Sequence, residues 1–315
     1  MNLTVASSPH IRGDFKTSRL MLDVVIALIP ALMVGLWQFG WRVLAVVGVC
    51  VVSTAAAEWL YSVLTHTRNT LVDCSAIVTG LLLAMTLPVS VPLWQAAVGG
   101  VFAIVVVKLL CGGLGQNVFN PALSGRALML LIWPVGVTCY HAVGVDGVSA
   151  ATPLHQMVMP ALPEQSLWDM FMGNCPGSIG EISTLALLAG GVYLVRRRVI
   201  SPRIPLSYLG TVAVLTLVFS RTGNPVIWML YSLCSGGVVL GAIFMATDYA
   251  TSPVAPRGQL LYGVGCGTLT VLFRYVGLYP EGVTYAILLM NAMVWTLDRY
   301  NAPRRFGTKK VGGKA

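Results

Sequence analysis

Of the 315 residues, 56% are hydrophobic and only 10% are charged, and the mean hydropathy is +0.79. A soluble domain of this size needs far more charged surface, so the composition excludes a water-soluble enzyme and points to an all-α integral membrane protein. The net charge of +9 does not indicate nucleic acid, because the basic residues sit in short segments beside apolar stretches, where topology accounts for them.

The first apolar stretch covers 20–39 and follows a polar start with Arg12, Lys16 and Arg19. It lacks a small-residue cleavage site and reads as a retained span, not a signal peptide. Stretches able to cross about 30 Å of hydrocarbon follow at 41–64, 74–88, 93–110 and 120–138. A second set lies at 181–199, 204–220, 228–247, 259–273 and 282–298. The expectation is one membrane domain of about ten helices. Residues 1–138 form a first five-helix repeat, 139–180 an outer loop, 181–298 a second repeat and 299–315 a basic tail.

Two sequence echoes support the repeat. Gly80-Leu-Leu-Leu-Ala-Met-Thr-Leu-Pro88 is matched by Gly241-Ala-Ile-Phe-Met-Ala-Thr-Asp248. Asn120-Pro121 after Gly113 to Gly115, and Tyr279-Pro280 after Gly277, stand before corresponding spans. An odd number of spans per half requires the second copy to be inverted, an arrangement that builds sites from interrupted helices near the bilayer midplane.

The basic residues orient the chain. With the N-terminus inside, Arg19, Arg68, Lys108, Arg126, Arg196 to Arg198, Arg203, Arg257 and the tail from Arg299 fall on the cytoplasmic side. The outer side receives Arg42, Arg221 and Arg274, and the 139–180 loop has no Lys or Arg at all. The positive-inside rule therefore places that loop outside the cytoplasm.

This loop carries Asp146-Gly147-Val148-Ser149-Ala150-Ala151-Thr152-Pro153. The run matches D-x-x-[ST]-x-A-T, the acceptor pattern on which a flavin transferase esterifies FMN to a threonine hydroxyl. Small neighbours leave the Thr152 hydroxyl accessible, and Pro153 biases Thr152 to an extended backbone. The plainer reading of Thr-Pro is a helix start, with the hydroxyl as cap.

A second signal is Gly112-Gly113-Leu114-Gly115-Gln116-Asn117-Val118-Phe119-Asn120-Pro121. Such a run cannot continue a transmembrane helix, and irregular backbone at membrane depth is tolerated only where it is buried or lines a cavity. Asn117 and Asn120 can donate and accept hydrogen bonds to a planar polar ring; Asn120 with Pro121 can equally cap a helix. Asp248 lies at the cytoplasmic end of a span, either as a functional carboxylate or as an interfacial one near Arg257. Asp23 and Glu58 fall within spans, as parts of an ion path or as partners of nearby bases. Gly263-Val264-Gly265-Cys266-Gly267 lacks a preceding strand and reads as close helix packing, not nucleotide binding. The seven cysteines form no C-x-x-C pair, so no iron–sulfur cluster is expected from this chain alone. Cys139 and Cys175 share the outer loop and can pair in an oxidising compartment. No residue has the pattern of a catalytic acid, base or metal ligand.

Together with Ala6-Ser7-Ser8-Pro9, Thr17-Ser18-Arg19, Leu81-Leu82-Leu83-Ala84 and Tyr279-Pro280-Glu281-Gly282-Val283, these motifs resemble the D subunits of Rnf (Rsx) electron-transport complexes. More distantly, the chain is similar to the B subunit of the sodium-pumping NADH:quinone reductase. Ala150 stands where the acceptor pattern often has Gly, and the outer loop is short for the family. The resemblance implies a urea-transporter-like fold in a bacterial inner membrane, with both termini cytoplasmic and the loop periplasmic. It implies FMN on the threonine matching Thr152, placed by a flavin transferase, and a non-covalent riboflavin near Asn117, Asn120 and Asp248. The implied partners are the other subunits of an ion-translocating complex that moves electrons between ferredoxin and NAD, together with membrane lipid. A solute channel and a structural anchor for redox subunits are the alternatives.

Overall fold

The computed structural model describes residues 17–67, 70–140, 150–159, 161–276 and 281–301. Among these residues all regular structure is helical. The first half contains α1 (Thr17–Phe39), α2 (Arg42–Leu64), α3 (Ser75–Met85), α4 (Leu93–Leu109) and α5 (Pro121–Ile132), which a short α6 (Pro134–Thr138) extends. The loop that follows carries α7 (Pro153–Gln156) and α8 (Leu167–Met172). The second half contains α9 (Thr184–Arg196), α10 (Arg203–Val218), α11 (Pro225–Cys234), α12 (Val238–Met245), α13 (Pro256–Val276), α14 (Val283–Ala292) and α15 (Val294–Asn301).

Every apolar stretch read from the sequence contains helix, but their lengths are unequal. By length and composition α1 and α2 are sufficient to cross a membrane, and α11 with α12 becomes a third span if counted through its 64° bend. Three stretches are interrupted: 120–138 at Trp133, 228–247 between Cys234 and Val238, and 282–298 at Met293. The bend after α11 has a defined cause. Gly236 adopts φ +58, where a side chain is rarely accommodated, and the carbonyls freed by the break are taken by Arg274. Its guanidinium donates to Ser232 O at 2.6 Å and Ser235 O at 2.7 Å.

Small residues allow close helix contacts. A Cβ on Gly263 would overlap Ser207 Oγ, and one on Gly80 would lie 2.5 Å from Thr54 Oγ1. The Gly263–Gly267 run therefore does pack α13 against α10. With no hydrophobic drive between helices in lipid, such close approach supplies the van der Waals contact that holds them. Trp37 and Trp41 project from the α1–α2 turn, 89% and 81% exposed, as expected of aromatic rings at a membrane–water boundary.

Three basic residues that the sequence reading assigns to the membrane surface are instead buried. Lys108 is 2% exposed; it pairs with Glu58 at 2.8 Å and donates to Ser75 Oγ at 2.7 Å. Arg126 is buried against Glu281, and Arg274 is buried at the bend just described. Their charges are held inside the helix bundle and carry no topological information. Asp23 also has a base: Arg197 lies 3.5 Å away, and Tyr193 Oη donates to the same carboxylate oxygen at 2.8 Å. Asp23 and Glu58 are thus paired groups. Arg12, Lys16, Arg68 and the basic residues beyond Asn301 lie outside the described residues.

Candidate functional site

The glycine-rich run ends its helix for a backbone reason. Gly112, Gly113 and Gly115 have φ of +112, +93 and +87, values that L side chains rarely adopt. The chain then re-enters helix at Asn120, whose side chain accepts from Leu123 N at 3.2 Å with Pro121 in the first helical position. Asn120 Nδ2 donates across the molecule to Met245 O at 3.2 Å, at the end of α12. With the Asn291 amide turned so that its oxygen faces Asn120, that oxygen accepts from Asn120 N at 3.1 Å. Asn120 therefore ties α5 to both α12 and α14.

Beside this knot lies a cavity between the two halves' interrupted helices. Asn117, Asn120 and Asp248, singled out in the sequence on grounds of polarity, all line it. Asn117 Nδ2 donates to Phe119 O at 3.1 Å. The Asp248 carboxylate accepts from Thr251 Oγ1 at 3.2 Å and makes no ion pair with Arg257. The sequence reading missed two further features of this wall. The last turns of α4, Ala103–Leu109, and of α12, Gly241–Met245, are π-helical, and they contribute Lys108, Ile243 and Phe244 to the lining. Apolar side chains carry no motif for such a role, although π segments often mark functional sites. Apolar side chains with a few polar groups are the usual lining of a small-molecule site.

A second, smaller cavity lies between the halves and is lined by Thr86, Arg126, Glu181, Glu281 and Thr284, among others. Glu281 accepts hydrogen bonds from both Arg126 and the Tyr140 hydroxyl. Glu181 is brought here by backbone pairing of the outer loop with the end of α3: Ile179 N donates to Leu87 O at 3.0 Å and Gly180 N to Met85 O at 2.8 Å. A Cβ on Gly180 would meet Met85 Cβ at 2.6 Å, so only glycine lets the two segments come this close. Nothing in the sequence marked the Arg126–Glu281 pair, whose members are 155 residues apart.

Thr152 lines a third cavity with Cys175, Glu181, Cys234 and Gly236. Its hydroxyl accepts from His155 N at 3.2 Å, capping α7, and the residue is 7% exposed. Both the extended backbone (φ −67, ψ 155) and the helix cap expected of Thr-Pro are present; the open hydroxyl is not. The space beside it is small and closed in by Met170, Cys175, Ile182 and Cys234. As placed here, the residues around Thr152 leave no room for FMN. Asp146 and Ser149 of the acceptor pattern lie outside the described residues. Cys139 and Cys175 are free thiols, and burial pushes the Cys175 thiol up to about 12, leaving it protonated and unreactive at neutral pH. Among the described residues no group of three or more His, Cys, Asp or Glu side chains is placed to hold a metal ion.

The model of the NQR2, RnfD, RnfE family matches residues 4–307. The chain belongs to this family. Among curated members, it is 46% identical to the D subunit of the Na+-translocating ferredoxin:NAD+ oxidoreductase complex of Acetobacterium woodii, covering 100% of this chain and 98% of that one. The D subunit of the proton-translocating ferredoxin:NAD+ oxidoreductase complex of Clostridium ljungdahlii is 41% identical over 98% of this chain and 97% of its own. The D subunit of the ion-translocating oxidoreductase complex of Escherichia coli is 35% identical over 98% of this chain and 100% of its own. The names of these NQR2/RnfD/RnfE members differ in the ion they give.

Proposed function

We propose that this chain is the membrane flavoprotein subunit of an ion-translocating ferredoxin:NAD oxidoreductase complex, in a bacterial inner membrane, with FMN esterified to Thr152. The observation that carries the reading is the acceptor sequence ending at Thr152, found in a family whose members include D subunits of such complexes. Its partners are the other subunits of the complex, surrounding lipid and, during maturation, a flavin transferase. The fold reading that accompanies it is ten spans in two inverted five-helix repeats. It is supported by two short, apolar helices in corresponding places: α3 and α12 each end just before a buried threonine, Thr86 and Thr247. Each of these hydroxyls donates back into its own helix, to Leu83 O at 2.7 Å and Ile243 O at 2.5 Å. In this reading both termini are cytoplasmic and the 139–180 loop is periplasmic.

The test is direct. Denaturing gel electrophoresis of the chain, co-expressed with the transferase, should show a band fluorescent under ultraviolet light that is absent from Thr152→Ala. A dark wild-type band defeats the reading and favours the structural anchor, for which a capping Thr152 is all that is needed. A solute channel also predicts a dark band.

The same proposal places a non-covalent riboflavin in the large cavity, where Asn117 and Asp248 would meet its polar edge and Ile243 and Phe244 its ring. Asn120 would position that wall, since its amide is already engaged on both sides. A bound flavin there would supply one- or two-electron transfer between soluble and membrane carriers. Flavin released by denaturation from Thr152→Ala protein measures this second site alone.

A further inference from the structure

The end of the bundle where α9 stops and α10 and α13 start carries a rim of arginines that the cavities above do not use. Arg196, Arg197 and Arg198 close α9, Arg203 opens α10, Arg257 lies in the first turn of α13 and Arg299 in the last turn of α15; all are exposed. Hydrogen bonds draw these segments together. Ser201 Oγ and Arg203 Nη1 donate to Gln259 Oε1 at 3.3 and 3.5 Å, and Gln259 Nε2 donates to Pro253 O at 3.2 Å. Asp298 Oδ1, next to Arg299 in the chain, accepts from Val254 N at 3.0 Å. Arg197 pairs with Asp23; among the described residues the other five arginines have no carboxylate in ion-pair reach. Apart from the buried Lys108, every basic residue described is an arginine. The guanidinium fork matches two oxygens of one phosphate, which an ammonium cannot do.

Charge alone would suit any anionic surface, but the surroundings are more specific. Leu206, one turn beyond Arg203, is 69% exposed, and Leu260 and Leu261, one turn beyond Arg257, are 47% and 52% exposed. Arg299 lies over the ring of Trp295, 5.2 Å from its centre, and that residue is 69% exposed. Bare apolar side chains that begin one turn beneath a ring of guanidiniums, with an indole beside them, put the arginines at headgroup depth. A soluble acidic protein would leave those leucines uncovered. The starts of α10 and α13 add the partial positive charge of two helix N-termini to the same rim.

We propose that this rim binds an anionic phospholipid, with Arg203 and Arg257 on its phosphate and its acyl chains against the exposed leucines one turn deeper. The assignment is of a headgroup class to a place on the molecule, beyond the contact any membrane protein makes with bulk lipid.

The test uses the full chain in phosphatidylcholine nanodiscs that contain a minor fraction of phosphatidylglycerol brominated on its acyl chains, or the same fraction of brominated phosphatidylcholine. The tryptophan emission lost in Trp295→Phe isolates quenching at the rim. Phosphatidylglycerol should quench that emission as though enriched about five-fold or more over phosphatidylcholine. Arg203→Gln with Arg257→Gln should bring the enrichment close to one. Arg203→Lys with Arg257→Lys should keep less than about half of it, because the charge stays and the fork is lost. Melting midpoints check that these variants fold. Where Arg203→Gln does not, through loss of its contact to Gln259, Arg257→Gln alone is read and should remove about half of the enrichment or more. Equal quenching by the two lipids would overturn the proposal and leave the rim to an acidic protein. Enrichment unchanged in the glutamine variants, or kept in full by the lysine pair, would also overturn it, since the field of the whole basic face and not these two guanidiniums would then be its cause.

Discussion

Arg126 and Glu281 offer a quantitative test of how the two halves are held together. Their side chains are 5% and 15% exposed, and Arg126 Nε has no hydrogen-bond partner. Removing one member of a buried pair leaves the other charge uncompensated, at a cost of about 3–5 kcal/mol, whereas replacing both with apolar residues is often close to neutral. Arg126→Met should be the worse single change, because it leaves Glu281 and Glu181, which line the same cavity, without their shared cation. Glu281→Met leaves Arg126 with Glu181 still beside it and should cost less. At roughly 2–4 °C per kcal/mol, each single variant should lower the unfolding midpoint by about 10 °C. The double variant should recover at least half of the summed loss, a coupling of about 2 kcal/mol or more. The assay is tryptophan fluorescence of detergent-solubilised chain at a fixed heating rate, since unfolding of a protein this large is rarely reversible. Singles within about 2 °C of wild type, or a double equal to the sum of its singles, would refute the argument that this pair is a desolvated unit.

Other outcomes follow from the same physics. Lys108→Met should destabilise by about 3 kcal/mol or more by stranding Glu58, and Lys108→Met with Glu58→Met should regain most of that loss in the same melting assay. Gly263→Ala should cost about 1–3 kcal/mol through overpacking against α10, and Ser207→Ala should restore only part of it because Ile204 O also lies 2.9 Å from the new Cβ. Asn117→Leu should reduce non-covalent flavin by about ten-fold while sparing stability, whereas Asn120→Leu should reduce both; unchanged flavin in both would remove the second site from this cavity. An impermeant thiol reagent applied to intact cells should modify Ser166→Cys and not Thr308→Cys; the reverse pattern inverts the topology.

Much of the fold was legible because lipid leaves few options. Long apolar runs must be helical, and helix starts read out through Asn120-Pro121 and Thr152-Pro153, each of which caps as its residue type suggests. The interruptions were harder to see. Gly236 looks like any small residue in a span until Arg274, from the far end of α13, is found on the carbonyls it frees. Local pattern does identify polar, helix-breaking segments, which is why Asn117, Asn120 and Asp248 fall into one cavity. It cannot show which basic residue is buried, so Lys108, Arg126 and Arg274 look like loop charges. Nor can it show whether a threonine hydroxyl faces outward. Small neighbours make Thr152 look accessible, but it is buried, as are Leu154 and Met157 just after it.

The π-helical end of α4 bears on how this protein tolerates change. A π turn carries one residue more than an α turn, and each residue advances an α-helix by about 100° around its axis. Rewinding this stretch as ordinary α-helix at unchanged length would carry Lys108 by about one residue's turn, roughly 100°, away from Glu58 and Ser75, although no side chain in that contact had been altered. The ammonium would then face apolar neighbours or lipid. The identity of residue 108 is therefore only half of what makes that ion pair; the other half is the wide winding of this stretch, so a one-residue insertion here should be as damaging as substitution of the lysine itself, whereas a one-residue deletion from Ala103–Val106 that rewinds the turn as α-helix should keep the pair.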